Sequence, residues 1–254
     1  NKNPLYTPPR FFCYHQNAKM AAMVTGEYQL KQKELFDILE AKLKKGESSV
    51  TLVEPVKDYV NDRRTCLTSV VFIPTELQEK ILDKVISPLK EADTRQYYYV
   101  PNSFHLTIQN IKTINEPPSF NENDIELARE VFQEVISKFK SINFQIAGIF
   151  ELPTSLSLRA YSDETLKDLA LALRKKLKEA GVPDNKTYAS EEVVFGNISI
   201  SRYTSDPNQA FFEQVEQLKN VEIGVLKAFT VSLITTNSIC HPDKTKIIEK
   251  FNLQ

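Results

Sequence analysis

The 254-residue chain has few cysteines, almost no excess charge and no long apolar run. Its three cysteines, Cys13, Cys66 and Cys240, are too few for the disulfide framework of a small secreted protein. The net charge of −1 argues against binding to long duplex nucleic acid or to an anionic membrane surface. No apolar run approaches the roughly 20 residues that cross a bilayer, and the first residues lack the pattern of a signal peptide. We therefore expect a cytoplasmic protein with no membrane partner.

Two pairs of potential metal ligands occur, Cys13 with His15 and Cys240 with His241. Their flanking residues lack the ligand spacings of structural zinc modules. Buried or incidental cysteines explain these pairs more simply, because free cysteine is among the most frequently buried residue types. We predict no metal and no cofactor.

Hydrophobic periodicity divides the chain into an N-terminal extension, residues 1–66, and a regular part, residues 67–254. The extension contains one predicted helix in YQLKQKELFDILEAKLKKG, where apolar residues recur at helical spacing until Gly46. The remainder of the extension is polar and mixed. It could be a connector, a lid or the contact surface of a protein partner.

The regular part repeats the order strand, helix, strand, helix, strand, with lobe halves of about 67–152 and 153–254. Within the second half, SLSLRAYS alternates as a half-buried strand does, and GVLKAFTVSLITT is predicted as one long strand. The order and spacing of the elements, rather than residue identity, indicate an internal duplication. Two such halves would place the strands in NSFHLTIQNI and FGNISISRYT at related positions, facing a common cleft.

Both of these strands combine a polar face with an apolar face. Residues two apart in a strand point the same way, so His105 is predicted to share a face with Thr107, and Asn197 with Ser199. An imidazole exchanges protons near neutral pH, and a neighbouring hydroxyl can donate a hydrogen bond to a phosphate oxygen. Two such strands facing each other would hold a phosphodiester without a metal ion.

The segments VPNSFHLTIQNI and FGNISISRYT resemble the two motifs of the 2H phosphoesterase superfamily, which includes 2′-5′ RNA ligase-like proteins and cyclic phosphodiesterases. The resemblance covers about residues 67–254. It implies an α+β, two-lobed, duplicated fold in which antiparallel sheets line a central cleft and helices lie outside. It also implies a nucleotide or RNA-end phosphodiester as ligand, of the 2′,3′-cyclic or 2′-5′ type.

Residue by residue, the resemblance implies that His105 is the first catalytic residue and that Thr107 and Ser199 bind the phosphate. Asn197 stands where the second catalytic histidine is expected, which is a departure from the family pattern. An asparagine amide only donates and accepts hydrogen bonds. Loss of one general acid or base costs about 10²- to 10⁴-fold in rate.

Three interpretations remain open at this point. The protein could bind a phosphodiester and catalyse poorly. It could be a one-histidine enzyme, or one in which an asparagine was introduced to trap a ligand. It could also be an inactive scaffold for a protein partner.

Further candidates for substrate contacts, through a phosphate or a stacked base, are Arg202, Tyr203, Tyr99 and Arg159. For each of them, a surface charge or a core aromatic residue is the competing explanation.

Overall fold

A computed structural model of the protein describes residues 25–47 and 50–254. Cys13 and His15 lie outside the described residues, as does the first part of the predicted extension. None of the helices in the described ranges is long and apolar enough to cross a membrane.

The helices follow the predicted periodicity. They are α1 (Glu27–Lys44), α2 (Thr75–Ile81), α3 (Ser87–Ala92), α4 (Glu122–Ile136), α5 (Glu164–Glu179) and α6 (Gln209–Gln217), with one π-helical turn (Leu82–Ile86) and two 3₁₀ turns (Pro101–Ser103, Pro242–Lys244). The π-helical turn joins α2 and α3 into one continuous helical segment. The termini are set by local chemistry: the side chain of Asn121 accepts a hydrogen bond from the Asp124 amide at the start of α4, and Asp163 does the same for Thr165 at α5.

The strands form two antiparallel sheets. They are β1 (Thr65–Phe72), β2 (Tyr97–Tyr98), β3 (His105–Asn115), β4 (Ile142–Leu152), β5 (Ser155–Tyr161), β6 (Gly196–Arg202), β7 (Glu222–Ala228), β8 (Thr230–Thr236) and β9 (Lys246–Asn252). The first sheet has the order β3–β1–β8–β9, and the second has the order β2–β6–β5–β4–β7. Every pairing is antiparallel. The two strands with the polar faces, β3 and β6, therefore belong to different sheets.

The sheets do not coincide with the predicted lobe halves, 67–152 and 153–254. Strand β4, from the first half, joins the second sheet, whereas β8 and β9, from the second half, join the first. The prediction of one strand in GVLKAFTVSLITT is wrong, because the chain leaves the second sheet at Ala228 and enters the first at Thr230. Strand periodicity is continuous across this switch, so the sequence carries no sign of it. The exchange ties the two lobes together.

Helix α1 packs on the second sheet. Phe36 is fully buried and contacts the rings of Phe150 and Phe195, with centroids 4.9 and 4.3 Å away. The guanidinium of Arg159 on β5 binds Asp37 at 2.8 Å and Glu40 at 2.9 Å, both on this helix. All residues of β5 are buried, which corrects the prediction of a half-buried strand. The α1 part of the extension is therefore a component of the folded body.

Candidate functional site

His105 and Thr107 lie at the start of β3, on the edge of the first sheet. Their partners on β1 are Phe72 and Val70, respectively, but the next pair joins Gln109 to Ser69, so Ile108 is the extra residue of a bulge. The bulge breaks the alternation. Gln109, which strict alternation would place on the face of Thr107, is almost completely buried.

Asn197 and Ser199 lie on β6, opposite β5. The Asn197 amide donates to the Ser157 hydroxyl at 3.3 Å, and the Ser199 and Ser157 hydroxyls are 3.5 Å apart. Ser157 therefore orients both polar side chains of the second motif from the neighbouring strand. These contacts leave the hydroxyl of Ser199 and the amide of Asn197 at the cleft, where they can bind a further group.

Glycine 196 allows β6 to approach β3 closely. A Cβ atom at Gly196 would lie 2.9 Å from the Leu106 side chain and 3.3 Å from those of Ala160 and Phe144. Any larger residue would push the two strands apart. The glycine of FGNISISRYT thus has a structural role in bringing the second motif to the first.

The two motifs meet at one cleft of about 500 Å³. His105 and Thr107 line it from the first sheet, and Asn197 and Ser199 line it from the second. A larger depression of about 590 Å³ lies elsewhere, between the starts of α1 and α5. Four of its lining residues are carboxylates, Glu27, Asp163, Glu164 and Asp168, which makes it unsuitable for an anion.

The imidazole of His105 is held in one orientation. Its Nδ1 atom lies 2.7 Å from the carbonyl oxygen of Ser103. Because a carbonyl only accepts, Nδ1 carries the proton, and Nε2 is the nitrogen of the neutral ring that can accept one.

Cys240 contacts the same ring from the loop after β8, where it adopts a left-handed φ of 51°. Burial opposes the charged imidazolium of His105, but the neighbouring Cys240 sulfur and the Ser103 carbonyl outweigh it, so the pKa of His105 lies above its ordinary value. In the same pair, burial disfavours the Cys240 thiolate, yet His105 brings the pKa of Cys240 below its ordinary value. The cleft therefore contains an imidazole whose pKa is raised and, in contact with it, the Cys240 sulfur that raises it.

Cationic side chains line the cleft with few carboxylate partners. Arg64 is paired with Asp62 at 2.9 Å, and Glu54 also lines the cleft. Arg202 instead donates to the neutral Tyr99 hydroxyl at 3.0 Å and lies 3.5 Å from the Ser238 carbonyl. Lys186 also lines the cleft, and burial lowers its pKa.

Within residues 25–47 and 50–254, no ion pair involves Arg202 or Lys186. Because neither side chain has a carboxylate within ion-pair distance, Arg202 and Lys186 favour an anionic ligand.

The remaining candidates separate into two groups. Tyr99 and Arg202 line the cleft, next to the two motifs. Tyr203 does not, because its ring packs edge-on against Phe211 in the core, with centroids 5.7 Å apart, so its interpretation as a substrate contact is corrected. Arg159 is likewise engaged with α1 rather than with the cleft.

Three cleft residues have no signal in the sequence pattern: Lys186, Cys240 and Arg64. Each lies in an irregular segment or at a strand end, where alternation gives no information about direction. The dipeptide Cys240–His241 suggests only a metal site in the sequence. Among the described residues, no group of three or more His, Cys, Asp or Glu side chains could hold a metal ion.

Comparison with known proteins gives a structural likeness alone. No family model matches the sequence, and no curated protein matches it. A phosphoesterase structure matches 76% of this chain and 99% of its own, at 11% identity and a TM-score of 0.54. A protein of unknown function from Agrobacterium tumefaciens matches 83% of this chain and 97% of its own, at 12% identity and a TM-score of 0.56.

E. coli LigT in complex with 3′-AMP matches 75% of this chain and 98% of its own, at 12% identity and a TM-score of 0.50. At such identities the likeness shows the fold. The chain has the two-lobed α+β architecture of LigT, with two antiparallel sheets, and the predicted fold class is confirmed.

Proposed function

We propose that the cleft binds a nucleotide or RNA-end phosphodiester, of the 2′,3′-cyclic or 2′-5′ type, between β3 and β6. The observation that carries the proposal is the convergence of Thr107 and Ser199 from different sheets beside the unpaired cations Arg202 and Lys186. Hydroxyl donors and cations are the groups that bind phosphate oxygens most strongly. LigT, which shares the fold, has been crystallised with 3′-AMP and with phosphate.

The same site supports slow hydrolysis with His105 as the proton carrier. Water would attack phosphorus, one P–O bond to a ribose oxygen would break, and the proton of the water would pass to Nε2 of His105. The leaving alkoxide would take its proton from solvent, because Asn197 has none to give near neutral pH. One missing general acid slows such a step by about 10²- to 10⁴-fold.

Restoring a second imidazole tests this proposal. The Asn197→His variant should hydrolyse a 2′,3′-cyclic mononucleotide or a 2′-5′ dinucleotide about 10²-fold faster or more than the parent. A further His105→Ala change should abolish the gain. Asn143→His is the matched control, because Asn143 lies exposed on β4 and lines no part of the cleft; it should change nothing.

Binding is measured separately, by titration calorimetry with inorganic phosphate and with 3′-AMP. Thr107→Val and Ser199→Ala should each weaken both ligands, since each removes a hydroxyl donor from the phosphate. The proposal is wrong if the parent binds neither ligand and Asn197→His produces no turnover. Binding that persists unchanged in both hydroxyl variants would place the ligand outside the cleft.

A further inference from the structure

Two cysteine side chains line the cleft, and the proposed reaction uses neither of them. They are Cys66, in β1, and Cys240, in the turn after β8. Both are free thiols, 9% and 2% exposed, respectively. Because each contributes to the wall of a space of about 500 Å³, a reagent as small as hydrogen peroxide can reach both. The surroundings of the two thiols can therefore be compared directly.

The backbone holds Cys240 in a fixed and unusual position. Its φ of 51° lies in the left-handed region, which residues other than Gly, Asn and Asp rarely adopt. The Cys240 amide donates to the Asn237 carbonyl at 3.2 Å. The Asn237 side chain accepts from the His241 amide at 3.0 Å and donates to the Tyr59 carbonyl at 3.1 Å. Strained residues of this kind persist where the surroundings fix them, and they cluster at functional sites.

The turn places the Cys240 sulfur against the imidazole of His105. Nδ1 of that ring donates to the Ser103 carbonyl, so Nε2 is the nitrogen that can take the proton of the thiol. Transfer of this proton gives a thiolate beside an imidazolium, the arrangement that activates cysteine as a nucleophile. Val70 and Ile234 pack against Cys240 and oppose the charged form. The imidazole must therefore outweigh an apolar environment.

Cys66 shows what the same cleft does to a thiol that has no imidazole beside it. Its sulfur donates to the Thr236 carbonyl at 3.4 Å. Burial raises the pKa of Cys66 to about 12, so almost none of it is thiolate near neutral pH. Burial acts on Cys240 in the same direction, but His105 outweighs it, and the pKa of Cys240 lies below its ordinary value. Of the two thiols, Cys240 therefore has much the larger share of thiolate.

We propose that Cys240 is an oxidation site, at which a peroxide converts the thiol beside His105 to a sulfenic acid. The thiolate attacks one peroxide oxygen, so that an S–O bond forms and the O–O bond breaks. The sulfur gives up two electrons and the peroxide gains them. With hydrogen peroxide, the leaving hydroxide takes the proton of the imidazolium and departs as water. A small thiol reduces the sulfenic acid again through a mixed disulfide, which makes the change reversible.

Oxidation would act on the anion site through His105. Burial disfavours the imidazolium of His105, and the Cys240 sulfur offsets that effect. Conversion of Cys240 to the neutral sulfenic acid removes the thiolate charge, so a smaller share of the imidazole stays protonated and a phosphate is held more weakly. This consequence rests on the proposed function, whereas the oxidation itself does not.

The first test compares the two thiols within one molecule. The 254-residue chain with Cys13→Ser is treated with hydrogen peroxide, quenched with catalase, unfolded and alkylated with iodoacetamide, and peptide mass spectrometry gives the reduced fraction of each cysteine. The two pKa values differ by about 3 or more, and nucleophilicity falls with pKa by a Brønsted coefficient of about 0.4–0.5. Cys240 should therefore react about 30-fold faster than Cys66. A rate for Cys240 no greater than that for Cys66 would overturn the proposal.

The Cys240→Ser variant separates direct oxidation of Cys66 from disulfide formation. Any loss of Cys66 in the parent should follow that of Cys240, because it arises from attack of the Cys66 thiol on the sulfenic acid. In Cys240→Ser, Cys66 should stay reduced over the same interval. If Cys66 is oxidised there as fast as Cys240 is in the parent, the special reactivity of Cys240 is refuted.

The second test removes the imidazole. His105→Gln keeps a hydrogen-bonding side chain beside the sulfur but cannot carry the proton, so oxidation of Cys240 should slow at least about tenfold. His241→Gln is the matched control, because His241 follows Cys240 in the sequence but its Nδ1 atom accepts from the Asp243 amide at 3.3 Å. It should leave the rate as in the parent, and circular dichroism should show both variants folded. Slowing by His241→Gln alone, or by neither variant, would overturn the assignment.

The effect on the cleft is measured by calorimetry with inorganic phosphate. Oxidation should weaken phosphate binding about fivefold, dithiothreitol should restore it, and the same treatment should change nothing in Cys240→Ser. If Cys240 is oxidised and phosphate affinity does not change, the control of the anion site is wrong although the oxidation site stands. If the reduced parent binds no phosphate, the proposed function fails by itself, and the peroxide assay still decides the assignment of Cys240.

Discussion

Replacement of Arg159 by methionine should destabilise the protein by about 3 kcal/mol. The Arg159 side chain is 4% exposed, and its guanidinium binds Asp37, Glu40 and the Ile149 carbonyl, each within 3 Å. Methionine fills a similar volume, so the loss comes mainly from the polar groups that are left behind. Those groups lie at the junction of α1 and the second sheet.

The magnitude follows from the exposure of each partner. Asp37 is 49% exposed, so its pair is screened by solvent and contributes only about 0.5 kcal/mol. Glu40 is 14% exposed, and breaking a buried pair by removing one partner costs about 3–5 kcal/mol. Glu40 also accepts a bond from the Glu151 amide, which remains after the substitution and favours the lower end of that range.

Urea unfolding followed by far-UV circular dichroism measures the change. The matched control is Arg129→Met, because Arg129 has two carboxylate partners as well but is 38% exposed, so solvent screens both pairs and the loss should be far smaller than for Arg159→Met. A loss below about 1 kcal/mol for Arg159→Met would refute the reasoning, since it would mean that α1 is not held by this buried pair. A second variant, Arg159→Met with Glu40→Leu, should recover part of the stability.

Three further predictions concern the buried carboxylate Asp93, the thiol of Cys240 and Gly196. Hydrogen bonds from Arg95 hold the pKa of the buried Asp93 below its ordinary value, so Asp93→Asn should cost about 2 kcal/mol of folding stability at pH 7. Urea unfolding should show the stability difference between parent and variant narrowing only as the pH falls below about 4, because protonation of Asp93 then removes this contribution from the parent. Cys240→Ala should lower the pKa of His105, as measured by NMR titration of the imidazole, because Cys240 raises it; an unchanged titration would contradict their contact. Gly196→Ala should destabilise by about 1–3 kcal/mol in thermal unfolding, since its Cβ would lie 2.9 Å from a side chain of β3.

Regular periodicity accounts for what could be predicted. The helices α4 and α5 and the strands β3 and β6 follow from spacing of 3.6 and 2 residues, because burial of one face imposes that spacing wherever the element is straight. The polar faces of β3 and β6 follow for the same reason. The convergence of His105, Thr107, Asn197 and Ser199 is expected instead from the duplicated order of elements and from the family resemblance. The structure brings these four residues to one cleft.

The parts that could not be predicted depend on irregular backbone or on long-range contacts. The bulge at Ile108 inverts the alternation of β3 and brings Asn110 to the wall of the cleft. The bulge has no distinct residue pattern here, so alternation in the sequence would place Gln109, and not Asn110, on the cleft-facing side of β3. The switch between sheets at Phe229 lies inside an unbroken strand pattern. Cys240 contacts His105 although the two residues are 135 positions apart in the sequence, so no local pattern indicates this contact.

In the site as we propose it, the chemistry of the two walls favours holding a phosphodiester over cleaving it. Because the pKa of His105 lies above its ordinary value, a larger share of the imidazole is charged near neutral pH. An imidazolium binds an anion more strongly but cannot accept a proton, so it is a weaker base for activating water. On the opposite wall, Asn197 can hydrogen-bond a phosphate oxygen but cannot protonate a leaving group. In the proposed site, both features would act in the same direction, toward slower turnover of the ligand.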